Sequence, residues 1–381
     1  MAAVADQVLI YADTMRSPEL RHEVPVGIGD AFLYAETNGT RHVLTNVLEL
    51  KKMEELGLQT HLGTDYGVDD LINEGRKPID IMHELALRAC RDFGIEDAVV
   101  PYWFPVELAD FLRTNGIELR PDLDFFDDRR RAKNEAEIAG IRRAQRAAEA
   151  GMSVARDMLR ASEPNGDSLV LDGAPLTSER IKLAIGQAFT QHDCATDEFI
   201  VAHGEQGARG HDMGAGPIAP GEPVVIDVWP KDRESACYAD MTRTFVVGEP
   251  SEEIVEWHRL CKEAVDRTIE PIKPGVKGRE LFDIACDIFE EHGQKTQRTK
   301  EPGESLDEGF FHSLGHGVGL EVHEQPGLGL LGEKELLPGD VITIEPGLYR
   351  QGFGGVRLED LILVTEDGYE NLTDFPYDLA P

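Results

Sequence analysis

The sequence predicts a mixed α/β (α+β) protein of two domains, with the chemistry confined to the second. Three observations carry that expectation. Helical and strand-like apolar periods alternate along all 381 residues, a length that accommodates two cores. A charged junction, Asp127-Asp128-Arg129-Arg130-Arg131, separates 1–127 from 128–381. Beyond it one pattern occurs twice: two helices, then a hairpin bearing two carboxylates, which implies a domain with pseudo-two-fold symmetry.

In the first domain, Gln7-Val8-Leu9-Ile10-Tyr11 reads as an early strand or an initial turn. Strands at 31–35 and 41–45 flank Thr37-Asn38-Gly39-Thr40, where Asn-Gly suits the positive φ angles of a tight hairpin. A helix over 78–93 starts at Pro78, whose missing N–H is harmless in a first turn, and stops before Gly94. Its apolar face is Ile81, Met82, Leu85 and Ala89. A further strand is expected at 99–104.

In the second domain, Ile138, Ile141, Ala148, Met152 and Leu159 keep helical spacing over 134–159. Another helix, 178–191, follows a Gly/Pro/Asp loop. Apolar runs at 223–229 and 236–247, joined by Lys231-Asp232-Arg233-Glu234-Ser235, predict a hairpin carrying Asp227 and Asp240. Helices at 251–269 and 278–292 come next, the latter closed by Gly293. A second hairpin, 341–350 with 356–365, turns through Gln351-Gly352-Phe353-Gly354-Gly355 and carries Glu345 and Glu359. The repeat is architectural, without residue-level self-similarity.

Composition excludes several functions. A chain 41% hydrophobic and 29% charged is a soluble globular one, and no run approaches the roughly 18 apolar residues of a membrane span. The first six residues lack a basic stretch followed by an apolar core, so no signal peptide is expected. Cys90, Cys194, Cys237, Cys261 and Cys286 are odd in number and lack CxxC spacing, as in reduced, buried thiols of a cytoplasmic protein. Lys plus Arg total 38 against 72 Asp plus Glu, a net charge of −34, which argues against nucleic acid or an anionic membrane as partner. With only 12 lysines, the composition resembles that of extreme halophiles, where salt screens self-repulsion. A halophilic archaeal source is therefore expected.

The chemistry lies in misplaced charges. Asp227, Asp240, Glu345 and Glu359 interrupt or end apolar β runs, where a lone carboxylate is costly to bury. Facing positions of a hairpin bring two side chains together on one face, and two such acids raise each other's pKa unless a cation intervenes. The bland alternative leaves one acid exposed and the other bonded to Arg243 or Arg357. Two acid pairs plus His316, set in Gly315-His316-Gly317, favour two divalent ions sharing oxygen-rich ligands. His312, His316 and His323 crowd a glycine-rich stretch that permits close backbone approach to a ligand. His211 lies in a second such loop, Gly210-His211-Asp212-Met213-Gly214. The remaining histidines read as surface or satisfied core groups.

These residues reach a known family. Asp227, Asp240-Met241-Thr242-Arg243-Thr244-Phe245, His316-Gly317-Val318-Gly319-Leu320 with His323-Glu324, Ile344-Glu345-Pro346-Gly347 and Arg357-Leu358-Glu359-Asp360 resemble the M24 metallopeptidases, and within them the Xaa-Pro peptidases, aminopeptidase P and prolidase. The resemblance spans nearly the whole chain. It implies a creatinase-type α/β domain at 1–127 and a pita-bread catalytic domain at 128–381. It also implies that Asp227 binds one metal, that Asp240 and Glu359 bridge both, and that His316 and Glu345 complete the other site. His211 and His323 match positions that hold substrate and stabilise the tetrahedral intermediate. His312 matches a supporting, substrate-binding histidine, and Arg357 a residue bracing the site.

The implied reaction is amide hydrolysis at bonds preceding proline, with two ions about 3.5–4 Å apart and Glu345 as proton shuttle. Mn²⁺ suits the donor set best, with Co²⁺, Zn²⁺ or Fe²⁺ as other candidates. Peptides with proline second are the expected partners, and a homodimer the expected assembly. Other readings are a creatinase-like or methionine-aminopeptidase-like hydrolase and a catalytically silent binding protein. The long N-terminal domain and the complete ligand set disfavour them. Three departures stand out: Trp229 where Asp-x-Gly is usual, a 13-residue step from Asp227 to Asp240, and His211 one residue nearer the hairpin than in the aminopeptidase P pattern.

Overall fold

The computed structural model describes residues 7–381; the first six residues, read above for a signal peptide, lie outside them. The chain divides into two compact units, the first reaching Arg130 and the second spanning Arg131–Pro381. The charged run at 127–131 is not an irregular junction, because it ends a helix, Leu123–Arg131. Asp122 starts that helix by accepting the Phe125 N–H at 3.0 Å, as an N-cap does.

The first unit is a six-stranded mixed sheet in the order Gln59–Leu62, Thr40–Thr45, Phe32–Thr37, Val8–Ala12, Asp97–Val100, Glu118–Pro121. The Asn-Gly hairpin forms as expected, with Asn38 at φ 50° and Gly39 at φ 75° between the closing pair Thr37 and Thr40. Residues 8–12 form a central strand, antiparallel to Phe32–Thr37 and parallel to Asp97–Val100. The helix expected over 78–93 spans Pro78–Asp92. The strand expected at 99–104 stops at Val100. Pro101 has no N–H for the ladder, and the Phe104 N–H turns back to the Pro101 carbonyl at 2.9 Å.

The second unit has two halves, each with its own core. In the first, helices Glu135–Ala161 and Ser178–Gln191 pack with strands Ile200–His203, Pro223–Val228 and Met241–Val246 around Ile141, Met152, Phe189 and Ile226. Asn134 and Glu137 form a capping box that sets where the long helix begins. Gly151 lets the two helices approach closely, since a Cβ there would lie 2.6 Å from the Phe189 ring. In the second half, helices Glu252–Ile269 and Gly278–Glu291 share a core with the second hairpin through Trp257, Phe282, Phe289 and Ile362.

Both hairpins depart from the expected outline. The run read as 236–247 pairs only over Met241–Val246. Before it, Lys231–Asp232 pairs with Cys194–Ala195, and the Asp232 carboxylate accepts Arg143 and Ser235, so the connection is a structured excursion rather than a free polar loop. In the register that results, Asp227 faces Thr242, and Asp240 lies just ahead of its strand. The second hairpin keeps one register throughout, from Val341–Leu363 to Arg350–Gly354. Its ladder breaks between the Ile344–Asp360 and Gly347–Arg357 pairs. Glu345 and Glu359 occupy that break, opposite one another.

Candidate metal centre

The hairpins deliver carboxylates to one place because strands alternate faces. Ile226 and Val228 are fully buried in the first core, whereas Asp227 between them borders a cavity of about 780 Å³. Asp240, His316, Glu345 and Glu359 line the same cavity. Single donor atoms of Asp240, His316 and Glu359 all lie within 4.8 Å of one another. The His316 Nε2 is 3.5 Å from Glu345 Oε1 and 3.8 Å from Asp240 Oδ2.

The described residues leave these groups only partly compensated. The His316 Nδ1 is 3.1 Å from the Gly317 carbonyl, which can only accept, so Nδ1 carries the proton and Nε2 presents a lone pair to carboxylate oxygens. Burial, with neighbouring His323, pushes His316 down to about 3 and keeps it neutral. Asp240 is held well above the usual carboxylate range by burial, then by Glu359, Asp227 and Glu345. Burial and the nearby Glu345 and Asp227 raise Glu359 likewise. Burial is also the main reason that Glu345 is pushed up to about 8, with Asp227 adding to it against the opposing pull of Arg357. Asp227 Oδ1 and Asp240 Oδ1 are buried with no hydrogen-bond partner among the described residues. Divalent cations answer all of these mismatches together: they accept the Nε2 lone pair, the orphaned oxygens and the repelling charges.

A buried frame fixes these side chains. Arg357 donates to Asp227 Oδ2 at 2.5 Å, to the Tyr349 hydroxyl at 3.0 Å and to Thr242 Oγ1 at 3.3 Å. The Thr242 hydroxyl donates in turn to Glu359 Oε2 at 2.7 Å. Thr343 Oγ1 accepts the His316 backbone N–H at 3.1 Å. Sequence reasoning missed Thr242, Thr343 and Tyr349. A signal was present for the threonines: Thr242 is two residues after Asp240 and Thr343 two before Glu345, the same-face period of a strand. The carboxylate–arginine pairing that the bland alternative allowed is present for Arg357, but it joins Asp227 to a residue of the other hairpin. Arg243 pairs with Asp360 at 3.0 Å.

The histidines sort by their contacts. The His323 ring lies 4.2 Å from that of His316, edge-on. Burial and the neighbouring His211 lower its pKa. His211 lines the cavity from its exposed loop. His312 has both nitrogens engaged, Nδ1 with the Ser313 carbonyl at 2.7 Å and Nε2 with the Tyr349 hydroxyl at 3.0 Å. It therefore offers a substrate its ring rather than a hydrogen bond. Away from the site, all five cysteines are free and buried, and no helix among the described residues is long and apolar enough to cross a membrane.

A carboxylate-rich cluster with one neutral imidazole, open to a peptide-sized cavity, defines a metal-dependent hydrolase centre. Residues 139–366 match the metallopeptidase family M24. An Xaa-Pro dipeptidase of Pyrococcus horikoshii is 34% identical over 293 residues, 76% of this chain and 74% of that protein. Another from Pyrococcus furiosus is 41% identical over 181 residues, 46% of this chain and 47% of that one. The crystal structure of the prolidase from Pyrococcus horikoshii OT3 superposes with a TM-score of 0.76 at 27% identity, covering 98% of this chain and 95% of that chain. This chain belongs to the M24 metallopeptidases. Its α/β architecture is theirs, with a pita-bread catalytic domain, and members of the family are dinuclear-metal enzymes.

Proposed function

We propose that this chain hydrolyses the peptide bond preceding proline, as an Xaa-Pro aminopeptidase or Xaa-Pro dipeptidase (prolidase). The observation that carries the reading is the convergence of four carboxylates and a neutral imidazole, two of their oxygens orphaned, in a cavity wide enough for a peptide. A relative aligned over 76% of this chain is named an Xaa-Pro dipeptidase, and a structure covering 98% of it is a prolidase. Asp227 would serve one ion, Asp240 and Glu359 both, and His316 with Glu345 the other. Bound divalent ions, Mn²⁺ by the hardness of the donors, supply a water of lowered pKa and polarise the scissile carbonyl.

The chain's own residues do the remainder. Glu345, as a carboxylate, accepts a proton from the attacking water and returns it to the leaving proline nitrogen. His211 and His323 donate to the oxygen on which negative charge develops. Arg357 keeps Asp227 oriented, and the ring of His312 borders the substrate. Residues 1–127 act as a creatinase-type domain. A cytoplasmic homodimer from a halophilic archaeon fits the acidic, lysine-poor composition and the reduced cysteines.

The test is hydrolysis of Xaa-Pro dipeptides and longer Xaa-Pro peptides by the Mn²⁺-loaded protein, at low and multimolar salt. Cleavage before proline is expected, strongest at high salt. Dipeptide-only cleavage selects prolidase. Absence of proline-directed hydrolysis under every condition refutes the proposal, and equal activity at low salt refutes the halophilic part.

A further inference from the structure

The first half of the catalytic unit presents an apolar wall to the cavity, and Trp229 is its largest member. Trp229 follows Asp227 by two residues, the next position on the face that points away from the buried Ile226 and Val228. The adjacent strand sets Ile200 opposite Asp227. Met213 is brought to the same edge by its carbonyl, which accepts the Val201 N–H at 3.0 Å. All three apolar side chains line the cavity. The indole is anchored on one side only: it packs against the first core yet is partly exposed. Among the described residues it makes no hydrogen bond, ring stacking or cation contact. An aromatic surface held rigidly at its base and uncovered at a cavity gains by burial against an apolar ligand group.

We propose that Trp229 is a specificity-determining residue: with Ile200 and Met213 it receives the side chain of the substrate residue on the amino side of the scissile bond. The inference rests on the Xaa-Pro peptidase reading above. Charge decides which side of the bond lies there. A free peptide carries its α-ammonium on the first residue, and this wall bears Glu198, a carboxylate outside the proposed ligand set. The ammonium is drawn to that acidic side. The other large aromatic of the cavity, Phe311, comes from the second half, where its ring lies 5.0 Å from Tyr349 and beside His312. The proline ring is left to that surface. Trp229 at that position then gives this chain a preference for bulky apolar first residues.

The experiment compares kcat/KM for Gly-Pro, Leu-Pro, Phe-Pro and Leu-Ala on the Mn²⁺-loaded wild type, Trp229→Ala and Trp229→Phe. The Leu-Pro to Gly-Pro ratio is expected to fall about tenfold in Trp229→Ala, chiefly through KM, and to stay near the wild-type value in Trp229→Phe. Each ratio is internal to one variant, so a general loss of folded enzyme cancels. A ratio unchanged in Trp229→Ala overturns the proposal, as does a wild type that does not discriminate leucine from glycine. The proline reading is judged separately by Leu-Pro against Leu-Ala. Equal rates on those two would sink it and still leave the leucine-to-glycine ratio readable. If no peptide is turned over, calorimetric affinities of Leu-Pro and Gly-Pro for the same proteins supply that ratio, and absence of discrimination there is again disproof.

Discussion

Replacing Arg243 with methionine tests whether the two acid-bearing hairpins are held together by one buried guanidinium. Arg243 is 1% exposed and heads the largest fully buried side chains. It donates to the carbonyls of Thr242 at 2.9 Å, Glu359 at 2.7 Å, Phe375 at 2.9 Å and Pro376 at 3.0 Å, and to Asp360 Oδ1 at 3.0 Å. One acceptor lies on the first acid-bearing hairpin, two lie on the second and two on the C-terminal segment. Methionine keeps the aliphatic bulk and removes every donor. Breaking a buried ion pair costs about 3–5 kcal/mol. Asp360 retains Asn371 and Tyr377 as donors and the Thr242 carbonyl retains the Glu359 N–H, while the carbonyls of Glu359, Phe375 and Pro376 lose the guanidinium, so the expected loss stays inside that range. At about 2–4 °C per kcal/mol for a domain of this size, the second unit should melt roughly 6–20 °C lower. Scanning calorimetry on the metal-free protein reads this directly, and near-UV dichroism confirms folding at low temperature. Arg243→Lys should recover little, because a single ammonium cannot satisfy five separated acceptors. A shift below about 2 °C in Arg243→Met would refute the staple.

Three further outcomes are expected, two at the site and one beside it. Chelation should lower the melting temperature of the second unit, since metal at 100 times its Kd stabilises by about 2.7 kcal/mol; Asp240→Ala should abolish the metal-induced shift in calorimetry, and an undiminished shift would rule out Asp240 as a ligand. Thr242→Val removes the hydroxyl that joins Arg357 to Glu359 and should weaken Mn²⁺ affinity about 10–100-fold with the fold intact. Titration calorimetry measures that affinity, and a change under threefold would count against the role. The His203–Glu222 pair at 2.9 Å sets a pH window. Burial alone would lower His203, but the Glu222 bond and the Ala215 carbonyl outweigh it and raise its pKa above 6.5, while the His203 bond lowers Glu222 below 4.5. The histidine contribution is complete below 6.5 and fades as pH rises through the raised value. That of Glu222 is complete above 4.5 and fades as pH falls through the lowered value. His203→Gln should therefore reduce the melting temperature most between about pH 4.5 and 6.5, and a larger deficit at pH 8 would contradict the assignment.

Much of the site could be read from the sequence because its information is local. A carboxylate on an apolar strand is out of place whatever surrounds it, and glycines flanking His316 mark close backbone approach. Helix limits were equally legible where caps exist, as at Asn134 and Pro78. Strand limits were not. The run at 236–247 reads as one strand, but where it begins to pair depends on Lys231–Asp232 finding Cys194–Ala195, some 37 residues away. Thr242 and Thr343 carry no signal of their own; they matter because register turns them toward Glu359 and His316.

The sequence by itself determined the donor set, its order along the chain and the family resemblance that these carry. Tertiary structure decided how the donors meet. It placed Glu345 and Glu359 in one break of one ladder, joined Asp227 to Arg357 across the hairpins, and occupied both nitrogens of His312. It also set Trp229 beside the cavity instead of in the core. The reason is physical: residue type fixes what a side chain can bind, whereas pairing and burial arise from contacts between segments more than a hundred residues apart. Only those contacts leave the Asp227 and Asp240 oxygens buried without a donor among the described residues, which is what makes five polar side chains a candidate place for metal.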